Sequence, residues 1–342
     1  MTTVTSASIL ATSLVVALLS VPTLAGNVHD VKSNLRSMGL LEVLAPSTDI
    51  ARKLSWNEEC YDTLKTRTSC NNLDSVLEDI GFTSYETETP YPEDPGYVTV
   101  IDETMNCYVE FTNPEARVSS SSATIEYNLL SLTPEDAAAR NTSGTVYMTH
   151  ITPCGACSTL EDLSLYLYET DLTTPVRKCA MLNLLTFLAP EKIKALVLNC
   201  LEDVGFTQPA CKYIWYYNTV STSKECGGIC ALYASAPSND PVKNIWDVNF
   251  CQPYKKYSAP LGCKNKIQRA PNTTPDNACK DFQWENGEYR LNSCLQCDEC
   301  RSGPIFQKFA GRTRRGSGIE SAILRPDEVE IDHSYGMGCA ST

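Results

Sequence analysis

The run Thr149-His150-Ile151-Thr152-Pro153-Cys154-Gly155-Ala156-Cys157-Ser158 gathers reactive side chains at one turn: two cysteines three apart, with one of the chain's three histidines four residues before the first. The thiolate is the nucleophilic form of cysteine. At the head of a helix its pKa falls, because unpaired backbone N–H groups favour negative charge. Residues Thr145–Thr152 predict a strand and Ser158–Glu169 a helix, which puts both cysteines at such a joint. The sharp reading is a thiol–disulfide couple of Cys154 and Cys157. The plain one is a structural disulfide at each, in a chain with 17 cysteines.

Other chemistries share these residues. Strand, Cys-x-x-Cys, helix is the local layout of thioredoxin-like enzymes, but Val176 to Leu232 then reads as helix where that fold continues with strands. Cys154-Gly155-Ala156-Cys157 also resembles the core around a papain-type nucleophile, which would make Cys157 the attacking thiolate and His333 its base. Ser158 stands where that pattern has an aromatic, Ile151 where it has the oxyanion-stabilising Gln, and no Asn-Ser-Trp follows His333. Pro153-Cys154-x-x-Cys157 with His150 is half of a zinc-deaminase pattern, yet the upstream half is absent and Cys107-Tyr108-Val109-Glu110 is off in spacing by one. Cys294, Cys297 and Cys300 would ligate an iron–sulfur cluster only in a reducing compartment. No metal or cofactor is therefore called for. His150 and His333 also have a structural reading, as hydrogen-bond partners of backbone.

Arg312, Arg314 and Arg315, with Arg301 and Lys308 nearby, form a basic island in an acidic chain. Guanidinium groups beside glycines suit a phosphate, sulfate or carboxylate. The same residues would serve as a basic processing site, or pair with Asp327, Glu328, Glu330 and Asp332.

At 342 residues the chain is long enough for a real core, and a net charge of −13 argues against nucleic acid or anionic lipid as the main partner. Ile9 to Val21 has the length of a signal-peptide apolar region, with small residues at Thr23-Leu24-Ala25 for cleavage after Ala25, and no later stretch approaches a membrane span. Sequons at Asn141 and Asn272 fit a secreted, extracellular glycoprotein. All 17 cysteines lie beyond the cleavage point, and the odd number leaves one for a free thiol or an intermolecular link.

Five segments follow: a signal peptide (1–25), a helical N-terminal region (26–95), an antiparallel sheet (96–153), a cysteine-linked helical block (154–235) and a loop-rich, cysteine-stapled C-terminal region (236–342). The first helical region has a stripe at Val31, Leu35, Met38, Leu41 and Leu44, then helices through Cys60 and Leu64 and from Leu73 to Ile80, which Cys60 and Cys70 would staple to each other or tie to the rest of the chain. Tyr97–Ile101, Cys107–Phe111, Ala123–Tyr127 and Thr145–Thr152 alternate with period two and predict four strands. Leu77–Thr83 and Leu201–Thr207 echo each other, which reads as two helix ends stopped by glycine rather than a repeat.

The run His150–Ser158, the Cys294-Leu295-Gln296-Cys297 segment, Gly311-Arg312-Thr313-Arg314-Arg315 and a late histidine resemble an uncharacterised group of secreted cysteine-rich proteins from algae and other microbial eukaryotes, over roughly residues 145–340. The resemblance implies a secreted location and this architecture, and no chemistry. The expectation is a disulfide-rich α+β protein, structural or ligand-binding, with its site at the joint of sheet and helical block near His150, Cys154 and Cys157. The alternative is an oxidoreductase using Cys154 and Cys157, and behind it a hydrolase using Cys157 and His333.

Overall fold

The structure, a computed structural model, describes residues 58–93, 99–118, 123–185, 189–232, 238–241, 267–268, 289–319, 321–323 and 329–335. The expected signal peptide at 1–25, the stripe at Val31–Leu44, Asn272, Asp327 and Glu328 lie outside these residues, as do Cys251, Cys263, Cys279 and Cys339.

The fold is α+β. Helix α1 (Glu58–Thr66) leads to strand β1 (Thr68–Cys70) and helix α2 (Leu73–Asp79). Strands β2 (Thr99–Val100) and β3 (Asn106–Phe111), the short helix α3 (Glu115–Val118), β4 (Ile125–Leu132), α4 (Pro134–Arg140) and β5 (Val146–Ile151) follow. The main sheet has four strands in the order β1-β4-β3-β5. Its last three strands pair antiparallel as expected, while β1 joins β4 in parallel. Of the expected strand at Tyr97–Ile101, the described residues show β2, which pairs with β7 (Ile267–Gln268) outside the main sheet. Asn72 holds β1 in this place. Its side chain does not cap α2; its amide donates to the Leu129 carbonyl (2.9 Å) and accepts the Leu129 N–H (2.8 Å), so it clamps the chain after β1 onto β4.

Alternation decides which face of the sheet is core. Ile125, Tyr127 and Leu129 of β4 and Cys107, Val109 and Phe111 of β3 point into the main core. On the opposite face Tyr108 and Val146 pack with Ala137 of α4, so both faces carry apolar residues where a helix covers them.

Beyond the sheet come α5 (Leu160–Tyr168), α6 (Thr173–Met181), a 3-10 turn, α7 (Pro190–Val204) and α8 (Pro209–Leu232). After β6 (Asn239–Pro241), β7 and β8 (Tyr289–Leu291) come helices α9 (Ser293–Arg301) and α10 (Gly303–Ala310). The echoed heptapeptides are helix ends of one kind. Phe82 and Phe206 N–H groups reach back to the Leu77 and Leu201 carbonyls, Gly81 and Gly205 bond Glu78 and Glu202, and both glycines have positive φ.

Among the described residues five disulfides form. Cys179–Cys200 ties α6 to α7, and Cys157–Cys211 ties the turn before α5 to the start of α8. Cys226 and Cys230, four apart on α8, bridge Cys297 and Cys294, three apart on α9. These two rungs join the helical block to the C-terminal region, where the sequence suggested closure within the block. Cys70 is a free thiol, so the Cys60–Cys70 staple does not form.

Candidate functional site

The joint between β5 and α5 is where the sequence concentrated its chemistry. Thr159 caps α5, its hydroxyl accepting the Asp162 N–H at 3.1 Å and donating to the Asp162 carboxyl at 2.6 Å. The turn before it, Gly155–Cys157, lies against the end of α10. Ala156 and Cys157 donate to the Phe309 and Ala310 carbonyls, each at 2.8 Å. Two glycines permit this approach. A Cβ on Gly155 would stand 2.6 Å from the Phe309 carbonyl, and one on Gly311, whose φ is +73°, would stand 2.6 Å from the Gly155 nitrogen.

The cysteines do not form a couple. Cys154 is bridged to Cys107 and Cys157 to Cys211, and both are buried. The reason lies in the strand register. Cys107 pairs with His150 across β3 and β5, so the chain leaving β5 brings Cys154 back over Cys107, while the docked turn aims Cys157 at α8. In this structure neither cysteine offers a thiolate to a disulfide or a carbonyl carbon. Nor does His333 face Cys157. One of its ring nitrogens lies 2.6 Å from the Ser317 carbonyl, to which it donates, and the other accepts from the Tyr335 hydroxyl at 2.8 Å.

His150 is fully buried. Its Nδ1–H donates to the Ile151 carbonyl (2.9 Å), which leaves Nε2 to accept the Ser158 hydroxyl proton (2.8 Å), and Ser158 Oγ in turn accepts the Gly155 N–H (2.8 Å). A hydroxyl on an imidazole is the geometry of an activated nucleophile. Here Ser158 is fully buried beneath Gly311, so the pair acts as a lock on the turn.

Arg312 holds the lock together. Its side chain is completely buried and donates to the Cys157 carbonyl (2.9 Å), the Thr149 carbonyl (3.2 Å), the Thr149 hydroxyl (2.6 Å) and the Ser158 carbonyl (3.0 Å). Where the sequence suggested an anion, the fork is filled by the protein's own oxygens. Arg314 lies over the Tyr166 ring at 5.8 Å, and Arg315 opens a 3-10 turn (Arg315–Ser317). With Gly311, Arg312, Gly316 and Ser317 buried, the stretch is not the exposed, extended loop a processing enzyme needs. Arg301 pairs with Glu225 at 3.1 Å. Asn141 is exposed at the end of α4, its side-chain oxygen accepting the Val146 N–H at 3.0 Å. Sequence reasoning missed Ser158 and the inward role of Arg312; the glycines at 155 and 311 were the available signal.

Burial governs the titration of this cluster. It pushes His150 well below its usual range and His333 down to about 4, with the Arg312 charge adding to both. Burial also pushes the Asp162 carboxyl up to about 8. The signs oppose. A histidine with depressed folded pKa stabilises fully above its unfolded value near pH 6.5, and that contribution is lost as pH falls toward 4. A carboxyl raised to about 8 contributes fully below its unfolded value near pH 4, and that contribution is lost progressively as pH rises from there through 8. Stability is expected to peak at about pH 6.5, falling by roughly 2 kcal/mol on the alkaline side. Urea unfolding at a series of pH values checks this. Asp162→Asn should flatten the alkaline limb and steepen the acid one, because the carboxyl opposes the histidines between about pH 4 and 6.5.

Beside the lock lies a groove of about 600 Å³. Its walls come from α2 (Val76, Asp79, Ile80), Val100–Asp102 with Met105, the end of β4 (Leu129–Leu132), Thr152–Cys154, and Gln307 and Lys308 of α10. Val100 is 55% exposed. Thr152 has φ +81°, a strained conformation for a β-branched residue, held by its hydroxyl donating to the Gly311 carbonyl at 3.0 Å.

Among the described residues no helix is long and apolar enough to cross a membrane, and no group of three or more His, Cys, Asp or Glu could hold a metal ion. Residues 194–268 and 267–332 match a protein family described as a family of unknown function (DUF8771). No curated protein and no solved structure matches the chain.

Proposed function

We propose that this disulfide-stabilised protein is a secreted binding protein, and that the groove beside the β5–α5 joint takes a small amphipathic molecule. The groove carries the reading. Its volume falls in the range of small-molecule sites, and its lining mixes apolar side chains such as Val76, Ile80 and Met105 with the charged Asp79, Asp102 and Lys308. The strained Thr152 on its wall is the kind of residue that surrounding structure holds in place at binding sites. The disulfides favour an oxidising compartment, in keeping with the expected leader at 1–25. The purely structural role is the competing one, and it predicts no saturable site.

The test is titration of the purified chain with an amphipathic naphthalene-sulfonate dye, alongside Met105→Trp, which fills the groove from its wall. Saturable one-site binding is expected, weakened about tenfold by the substitution. Binding that does not saturate, or that ignores the filled groove, overturns the reading.

A further inference from the structure

A second surface, which does not depend on the groove, is formed where the segment after α2 meets α7 and α8. Tyr213 and Tyr216, three apart on α8, present half-buried rings on one face of the helix, and Tyr85 lies 5.5 Å from Tyr213. Lys194 of α7 is held among them. Its ammonium is 5.3 Å from the Tyr213 ring centroid and 5.8 Å from that of Tyr216, and it donates to the Glu86 carbonyl at 2.7 Å. The surroundings are acidic. Exposed Glu86 raises the pKa of Tyr85 and Tyr213, and exposed Glu191 raises that of Tyr216, each adding to burial.

Two aromatic faces, a carbonyl acceptor and a carboxylate rim are what an alkylammonium group requires, and here the protein's own lysine supplies one. We propose that this patch is a recognition site for a lysine side chain of a partner polypeptide, with Lys194 as its resident competitor. The tertiary structure carries the argument, because the ammonium already sits where a partner's would. Two features favour a polypeptide over a small free amine. The Tyr85 ring extends the aromatic surface past the two rings that Lys194 covers, offering apolar contact to residues flanking an incoming lysine. The chain's net charge of −13 also draws basic partners toward it.

The probe is a tetralysine peptide with blocked ends, titrated calorimetrically into the full chain at fixed salt. Lys194→Met keeps the packing of the stem and removes the competitor, and should tighten binding about fivefold. Lys224→Met, an exposed position on α8, changes net charge equally and is the control; it should shift affinity far less. Adding Tyr213→Leu to Lys194→Met leaves charge untouched and should reverse the gain. Tyr216→Leu repeats the test should the first variant fail to fold. Equal effects of Lys194→Met and Lys224→Met, or tight binding that survives loss of the ring, mean general attraction to an acidic surface and overturn the proposal. Weaker binding by Lys194→Met does so too, since Lys194 would then be a staple that shapes the patch.

Discussion

Arg312→Met is expected to cost the protein roughly 3–6 kcal/mol, enough to unfold it at ordinary temperature if total stability is typical. The stem is nearly matched in volume, so the loss comes from the fork. Three backbone carbonyls, of Thr149, Cys157 and Ser158, and the Thr149 hydroxyl lose their donors inside the core, where water does not replace them. Each buried acceptor left without a partner costs about 1–3 kcal/mol. Arg312→Lys should recover only part, because a single ammonium cannot reproduce a planar fork that meets four acceptors in different directions. Urea unfolding of the two variants against the parent checks both values. An anion site would behave differently: sulfate would stabilise the parent, and the substitution would cost little in its absence. The geometry predicts no effect of sulfate at this residue.

The second large effect concerns the bridge at the turn. Replacing Cys157 and Cys211 together by serine should cost about 4 kcal/mol, the loop-closure contribution for a crosslink spanning 54 residues. A disulfide map should show Cys107 joined to Cys154 and Cys157 joined to Cys211. Among the described cysteines, a thiol label should enter the half-buried Cys70 first. Because both cysteines of each of these bridges are buried, mild reductant should leave them intact longer than Cys179–Cys200 and Cys230–Cys294, each of which has a half-buried member. Peptides linking Cys154 directly to Cys157 would contradict the fold at its centre, and would restore the thiol–disulfide reading.

These two expectations concern residues that the sequence singled out for other reasons. Cys154 and Cys157 stood out by a spacing that redox pairs, peptidase nucleophiles and zinc ligands share. Spacing along a chain says nothing about which third cysteine the fold delivers. Cys107 arrives through the register of β3 on β5, and Cys211 through the packing of α8 on the turn. Arg312 was legible as a charge near glycines. Whether it faces water or core depends on Gly155 and Gly311 touching, a contact 156 positions apart in sequence that local chemistry cannot register.

What the sequence determined by itself were the features that local physics controls. The period-two alternation of Cys107–Phe111 and the apolar spacing of Leu160, Leu163 and Leu167 set strand and helix. Glycine with a following phenylalanine set two helix ends, and the number of cysteines set the style of stabilisation. The tertiary structure decided the rest: that Thr68–Cys70 takes a sheet edge beside β4, where the Asn72 amide clamps Leu129; which cysteines meet; and that the reactive-looking joint is a sealed lock beside a groove. Those outcomes depend on contacts between residues far apart in the chain, whose free energy is realised only when the whole core closes.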